Sequence, residues 1–272
     1  MLNNLFIIAT ALLALRAEDT EVVEDEREGR IINGREARPG AYPFVVSLQR
    51  NGGHICGGSL LDSTTVLTAA HCSEVFSNEE VTVNVKRHDL RKQSSQEGGE
   101  TIGVTRQTRH PEYFDINLLN DVGIWKLASP VSVQVSYVTL DNGQYADQVD
   151  LPAQMIGWGR NESNSSNLPP RLQETILPIY DNDMCAEAYY WQIDSRAKLC
   201  AGYAEGISST CEGDSGGPLF VQAEGRVIQI GISSYVKNTK CLNANAPAVF
   251  TKVANYIPWI KSQQEADDKS LV

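Results

Sequence analysis

Apolar residues along this chain occur in short runs separated by polar segments. Residues 44–48 and 81–85 are typical runs, each about five residues long and rich in valine, whereas residues 93–100 and 160–170 are polar. Runs of this length and composition predict β-strands, and the intervening segments predict loops. With 21 glycines and 11 prolines spread through the chain, the pattern predicts an all-β protein.

The first 30 residues follow a different pattern. Residues 5–15 form an apolar run that is too short to span a bilayer but suits the core of a secretory signal peptide, with cleavage after Ala17. We therefore expect residues 1–17 to be a signal peptide. Residues 18–30 are rich in acids and poor in apolar side chains, so they cannot contribute to a packed core.

Charge and cysteine content narrow the function classes. The formal charge is −11; the first 30 residues hold three arginines and seven acids, so the chain from Ile31 onward carries −7. This balance argues against a nucleic-acid partner, which requires a basic surface. Six cysteines behind a signal peptide predict three disulfides formed in an oxidising compartment, with 15 pairings open from the sequence alone. They are Cys56, Cys72, Cys185, Cys200, Cys211 and Cys241.

Three short motifs indicate nucleophilic chemistry. Ser215 lies among glycines in residues 213–218, on backbone that can form a tight, open turn. A serine needs a base and a group that orients the base. His71 follows an apolar run directly, and Asp121 precedes another. Alone, each could be an ordinary turn, a packed histidine or a helix cap; together they suggest a catalytic triad.

From Ile31 to about Ile260, these motifs and their order resemble the chymotrypsin-fold serine proteases of the trypsin-like family, and the pocket pattern is most similar to the elastase and chymotrypsin types. The resemblance implies one serine protease domain over 31–272. It should contain two packed antiparallel six-stranded Greek-key β-barrels, over about 31–150 and 151–252, and a C-terminal α-helix and tail over about 253–272.

The resemblance also assigns roles to individual residues. It implies that Ser215 is the nucleophile, His71 the general base and Asp121 its orienting partner, with the N–H groups of Gly213 and Ser215 as the oxyanion hole. It selects the disulfides Cys56–Cys72, Cys185–Cys200 and Cys211–Cys241. The remaining histidines, at 54, 88 and 110, match no motif and are expected to be ordinary surface or structural residues. Gly123 stands where relatives usually carry alanine.

The residues around Arg30 resemble the activation site of the family's zymogens, which makes residues 18–30 an activation propeptide. Cleavage after Arg30 would free Ile31, whose ammonium group would pair with the buried carboxylate of Asp214. An acidic linker without further role is the alternative interpretation.

Substrate preference follows from the residues that the resemblance places in the primary pocket. Ser209 occupies the base of this pocket, where an aspartate would select substrates with Lys or Arg. Val236 should narrow the pocket, and Glu212 should disfavour acidic substrate residues nearby. We therefore expect cleavage after small to medium hydrophobic residues, with a chymotrypsin-like preference for Phe, Tyr or Leu as the alternative. The predicted pocket residues are Ser209, Thr210, Glu212, Ser234, Tyr235, Val236 and Ala248.

The predicted function is that of a secreted, extracellular endopeptidase with a digestive or simple effector role; a non-catalytic binding homologue is the alternative from another class. We expect a monomer that meets protein or peptide substrates, a trypsin-like activating protease and protein protease inhibitors, and neither nucleic acid nor a membrane. Asn161 and Asn164 are candidate glycosylation sites. No cofactor is expected, and no metal, since Arg87 occupies a ligand position of the calcium loop found in some relatives.

Overall fold

The computed structural model describes residues 34–74, 81–160, 167–190, 193–237 and 241–266. Within these ranges the chain forms fourteen β-strands and three α-helices. The predicted signal peptide, the propeptide with Arg30 and Ile31, and the sequons at Asn161 and Asn164 lie outside the described residues.

The first half of the chain forms a closed barrel of six antiparallel strands in the order β2-β3-β4-β7-β6-β5. Its strands are rich in valine, isoleucine and leucine, whose side chains fill the barrel interior. The elements of this half are β1 Arg35–Glu36, β2 Val45–Arg50, β3 Gly53–Leu60, β4 Thr65–Thr68, α1 Ala70–Glu74, β5 Val81–Val85, β6 Glu100–Arg109 and β7 Gly123–Leu127.

The second half forms a sheet whose strands run in the order β1-β10-β9-β12-β13-β14-β11. A β-bridge between Ile179, directly after β10, and Ala201 on β11 brings the two ends of the six strands β9 to β14 together. The fold is therefore two six-stranded barrels, as predicted. The elements are β8 Thr139–Leu140, β9 Pro152–Gly157, β10 Gln173–Pro178, α2 Asn182–Ala188, β11 Lys198–Ala201, β12 Pro218–Ala223, β13 Arg226–Tyr235 and β14 Ala248–Lys252.

The division of the chain between the barrels differs from the predicted single boundary near residue 150. Strand β1 pairs with β10, and β8 pairs with β13 in parallel, so both strands belong to the second sheet although they precede that boundary. An ion pair between Arg35 Nε and Glu174 Oε1, 2.6 Å apart, accompanies the β1 pairing. The first segment of the described chain thus crosses over and is fixed to the other barrel.

The C-terminal helix α3, Ile257–Glu265, returns to the first barrel, where Ile260 joins the core. Pro258 lies in its first turn, where the missing N–H costs no helical hydrogen bond. No helix in the described ranges is long and apolar enough to cross a membrane.

The two barrels meet through a separate apolar cluster that includes Phe44 from the first barrel and Phe220, Ile156 and Trp158 from the second. Phe44 and Phe220 pack edge to face with ring centroids 5.3 Å apart. This packing fixes the relative position of segments from both halves, including His71 from one and Ser215 from the other.

Candidate active site

Strand pairing in the first barrel brings His71 and Asp121 together. The β4–β7 ladder pairs Thr68 with Gly123, so the segments just beyond this pair, which carry His71 and Asp121, lie side by side. A disulfide joins Cys56 on β3 to Cys72 in α1, next to the histidine. The other described disulfides are Cys185–Cys200 and Cys211–Cys241, so all three pairs are those that the resemblance implies.

The His71–Asp121 contact has the geometry of an oriented base. His71 Nδ1 lies 2.8 Å from Asp121 Oδ2, and the backbone N–H of His71 donates to Oδ1 at 2.9 Å. An ionised carboxylate offers only acceptors, so Nδ1 carries the proton and Nε2 of the neutral ring is left as the acceptor. The histidine side chain is 21% exposed while that of Asp121 is fully buried, so the ring edge can meet a ligand.

The carboxylate of Asp121 remains ionised despite its burial. Burial alone would raise the pKa of Asp121, but the interaction with His71, the cation of Lys198 and the hydrogen bond from Ser234 outweigh it. The pKa of Asp121 therefore lies below its ordinary value.

The turn that carries Ser215 is held against the first barrel. The N–H of Gly57 on β3 donates to the Ser215 carbonyl at 2.8 Å. Gly216 has φ +77°, and a Cβ there would overlap the Thr68 hydroxyl. Glycine is required at this position because both the backbone conformation and the close approach exclude a side chain. Gly213 also has positive φ, +99°.

Asp214, beside the serine, is a fully buried carboxylate. Its described hydrogen-bond donors are the backbone N–H groups of Gly159, at 2.8 Å, and Cys211, at 2.9 Å. Burial raises the pKa of Asp214 to about 6, and the two N–H groups compensate only in part. Within the described residues no cation neutralises this charge.

His54 supports the serine turn and was not predicted to do so. Its Nε2 lies 2.8 Å from the Gly213 carbonyl, and its Nδ1 lies 2.8 Å from Ser47 Oγ. A carbonyl can only accept, so Nε2 carries the proton and Nδ1 accepts from the serine. Burial lowers the pKa of His54 to about 4, so the ring is neutral near pH 7. It is a structural histidine, as expected, but one that holds the segment predicted to form the oxyanion hole.

Ser234 and Lys198 complete the surroundings of Asp121. Ser234 Oγ donates to Asp121 Oδ2 at 2.6 Å, and Lys198 Nζ donates to the same hydroxyl at 3.1 Å. The lysine was missed at the sequence level. Its only signal was a charged residue in an otherwise apolar strand, β11.

A cavity of 170 Å³ opens beside Ser215. Most of the predicted pocket residues line it, but Ser209 and Ala248 do not; both are buried next to the strands and loop that form the walls. The lining residues are Thr210, Cys211, Glu212, Ser215, Ser233, Ser234, Tyr235 and Val236.

Glu212 at this cavity is not simply solvated. Its Oε2 lies 2.7 Å from Arg160 Nη2, with 53% of the Glu212 side chain exposed. The arginine offsets part of the negative charge, which weakens the predicted repulsion of acidic substrate residues.

Gly123 has a packing explanation. A Cβ at this position would lie 3.0 Å from the Ala69 carbonyl oxygen and 3.4 Å from the Ala70 Cα. Glycine thus allows β7 to approach closely the segment that leads into His71.

The loop between β5 and β6 is organised around the guanidinium of Arg87. Its Nε donates to Glu97 Oε2 at 2.8 Å, its Nη1 to Ser94 Oγ at 2.9 Å and its Nη2 to the Asp89 carbonyl at 2.9 Å. A covalently attached cation thus lies at the centre of this loop.

Comparison with known proteins places the whole region in context. The sequence model of the family described as Trypsin matches residues 31–260. Trypsin-3 of Salmo salar is 34% identical over 253 residues, covering 89% of this chain and 96% of that protein. Chymotrypsin-like elastase family member 1 of Canis lupus familiaris is 33% identical over 261 residues, covering 92% of this chain and 98% of that protein.

Proposed function

We propose that this chain, which belongs to the trypsin family and is a serine endopeptidase, is a secreted zymogen that is activated by cleavage after Arg30. The activated enzyme cuts after small to medium hydrophobic residues. The observation that carries the catalytic assignment is the buried Asp121 carboxylate held against His71 Nδ1. A non-catalytic binding protein would have no need of an ionised carboxylate in this place.

The reaction follows from the roles of the three side chains. Ser215 Oγ attacks the substrate carbonyl while His71 Nε2 accepts its proton; His71 then returns a proton to the leaving amine as the acyl-enzyme forms. Water then attacks the ester of the acyl-enzyme while His71 accepts its proton. His71 returns this proton to Ser215 Oγ as the carboxylic acid product is released. Asp121 fixes the tautomer and stabilises the imidazolium.

The developing oxyanion would be bound by the N–H groups of Gly213 and Ser215. Two features support this assignment: the positive φ of Gly213, and the hydrogen bond from His54 Nε2 that fixes the Gly213 carbonyl. Loss of one oxyanion donor typically costs about 3 kcal/mol of barrier.

Activation rests on the buried charge of Asp214. A carboxylate without a cationic partner is costly in the interior. The ammonium group of a newly formed Ile31 terminus would supply that partner, and the disulfides contain no cysteine from residues 18–30, so the propeptide would leave after cleavage. The position that the family resemblance assigns to the base of the primary pocket holds Ser209 rather than an aspartate, so nothing there would pair with an arginine substrate, and we expect a separate trypsin-like activator.

Secretion is supported by residues 1–17 and by three disulfides, which form in oxidising compartments. We further propose glycosylation at Asn161 and Asn164, a monomeric state, and protein protease inhibitors as partners.

The test is to cleave the purified zymogen with trypsin and to assay peptides that differ only in the residue before the cut: Ala, Val, Leu, Phe or Arg. We expect the highest kcat/KM on Ala to Leu and none with Ser215→Ala. A preference for Phe would refute the proposed specificity. Absence of turnover with a confirmed Ile31 terminus would refute catalysis, and rapid self-activation would contradict the need for an activator.

A further inference from the structure

Lys198 is a buried cation that the catalytic mechanism does not use. It lies on β11 and is 3% exposed. Its Nζ donates to Ser234 Oγ at 3.1 Å and to Thr251 Oγ1 at 3.2 Å, and it lies 5.5 Å from the centroid of the Tyr235 ring. In the described part of the chain its hydrogen-bond acceptors are thus hydroxyl groups.

Both hydroxyls in turn contact Asp121. Ser234 Oγ donates to the Asp121 carboxylate at 2.6 Å, and Thr251 Oγ1 donates to the Asp121 backbone carbonyl at 2.9 Å. The Ser234 hydroxyl therefore lies between the ammonium group and the Asp121 carboxylate, and the Thr251 hydroxyl lies between the ammonium group and the Asp121 backbone carbonyl. His71 Nδ1 contacts the same carboxylate oxygen, Oδ2, that accepts the hydrogen bond from Ser234.

An ammonium group in the interior is unfavourable, since burial disfavours the charged form. The neighbours of Lys198 on β11 are Leu199, Cys200 and Ala201, and an apolar side chain would fit this strand at lower cost. Burial lowers the pKa of Lys198 to about 8, although the charge of Asp121 opposes this shift. At neutral pH the group is still mainly protonated.

We propose that Lys198 is a positioning residue of the active site: its ammonium group shares the charge of Asp121 through Ser234 and thereby limits how strongly that carboxylate stabilises the His71 imidazolium. The inference rests on the proposed catalytic role of His71 and Asp121. Its consequence is that the enzyme stays active at lower pH than it would without Lys198.

The tyrosines and Asp194 near Lys198 do not change charge in the same pH range. Burial raises the pKa of Tyr235 and of Tyr256 to about 12, so both remain neutral. Lys252 is paired with Asp147 at 2.6 Å. Asp194, whose carbonyl accepts the backbone N–H of Lys198, has a lowered pKa because Arg196 hydrogen-bonds to it.

The test compares pH profiles of kcat/KM for the cleaved enzyme and two variants. Lys198→Gln retains a hydrogen-bond donor without charge, and Lys198→Met has neither. Both should move the midpoint of the acid limb upward by about one pH unit, the smaller end of the effect of a nearby charge. The matched control is Lys126→Met, since Lys126 is also 3% exposed but donates to Thr65 Oγ1 and the Gln264 carbonyl. This control should leave the midpoint unchanged.

Two outcomes would overturn the inference. Unshifted midpoints in both Lys198 variants would show that its charge has no effect on His71. A shift in Lys198→Met alone would assign the effect to the hydrogen bond with Ser234 rather than to charge. An unmutated cleaved enzyme that turns over no peptide would refute the proposed function itself, which is a distinguishable result.

A measurement without substitution at Lys198 guards against variants that fail to fold. In the cleaved Ser215→Ala chain, the NMR resonance of the proton on His71 Nδ1 should shift around pH 8, as Lys198 loses its charge. A resonance that stays constant through this range would contradict the inference.

Discussion

The buried carboxylate of Asp214 predicts that activation changes stability in a pH-dependent way. The perturbation is cleavage after Arg30 in the Ser215→Ala chain, which cannot degrade itself. In the uncleaved protein the pKa of Asp214 is raised by burial to about 6 from an ordinary 3.8. At 1.36 kcal/mol per unit, ionising this carboxylate in the folded state costs about 3 kcal/mol.

The sign follows from proton binding. Between about pH 4 and pH 6 the folded state binds a proton that the unfolded state has lost, so stability falls as the pH rises, and the cost is complete above pH 6. An ammonium group at Ile31 would remove this cost. Cleavage should therefore raise the free energy of unfolding, and this increase should be about 3 kcal/mol larger at pH 7 than at pH 4.

The assay is urea-induced unfolding of both forms at pH 7 and pH 4, followed by tryptophan fluorescence. Asp214→Asn in the same background is the control, and here the difference between cleaved and uncleaved forms should not depend on pH. An equal difference at both pH values in the parent chain would refute the assigned partner of Ile31.

Three further predictions follow. Lys198→Met should raise the free energy of unfolding at pH 7 by up to about 3 kcal/mol. The lowered pKa of Lys198 makes the parent protein more stable as the pH rises from 8 to 10.5, and the variant should lack this rise. Unchanged urea curves would contradict this. Gly216→Ala should abolish activity and lower the melting temperature strongly, because the new Cβ would overlap the Thr68 hydroxyl. The control is Gly225→Ala, where φ is +70° and the space is open, so the free energy of unfolding should fall by only about 1 kcal/mol. Equal melting temperatures of the two variants would argue against this packing account. Val236→Gly should enlarge the 170 Å³ cavity and raise kcat/KM for Phe relative to Ala by about tenfold or more, and an unchanged ratio would remove Val236 from the pocket wall.

The elements that could be predicted from the sequence are those encoded in contiguous motifs. The strand runs, the positions of His71 and Asp121, and the glycine turn around Ser215 all lie within a few residues. Each motif has a local physical requirement, such as the positive φ of Gly216. The two-barrel fold, which the family resemblance carried by these motifs implied, was confirmed.

Contacts between distant segments could not be predicted in this way. His54 is 159 residues from its partner Gly213, and no local pattern links them. Lys198 likewise reaches Ser234 only through the arrangement of β11 against β13 and β14. The failure of Ser209 and Ala248 to line the cavity has the same origin, since a side chain's direction depends on the register of its segment within the sheet.

The arginine-centred loop has a consequence for the conditions in which the protein can work. A cation that is covalently attached has an effective concentration set by the chain, and dilution does not change it. Arg87 and its partner Glu97 therefore give the loop between β5 and β6 the same organising charge in media rich or poor in divalent ions. We expect chelators to leave its shape and its resistance to proteolysis unaltered.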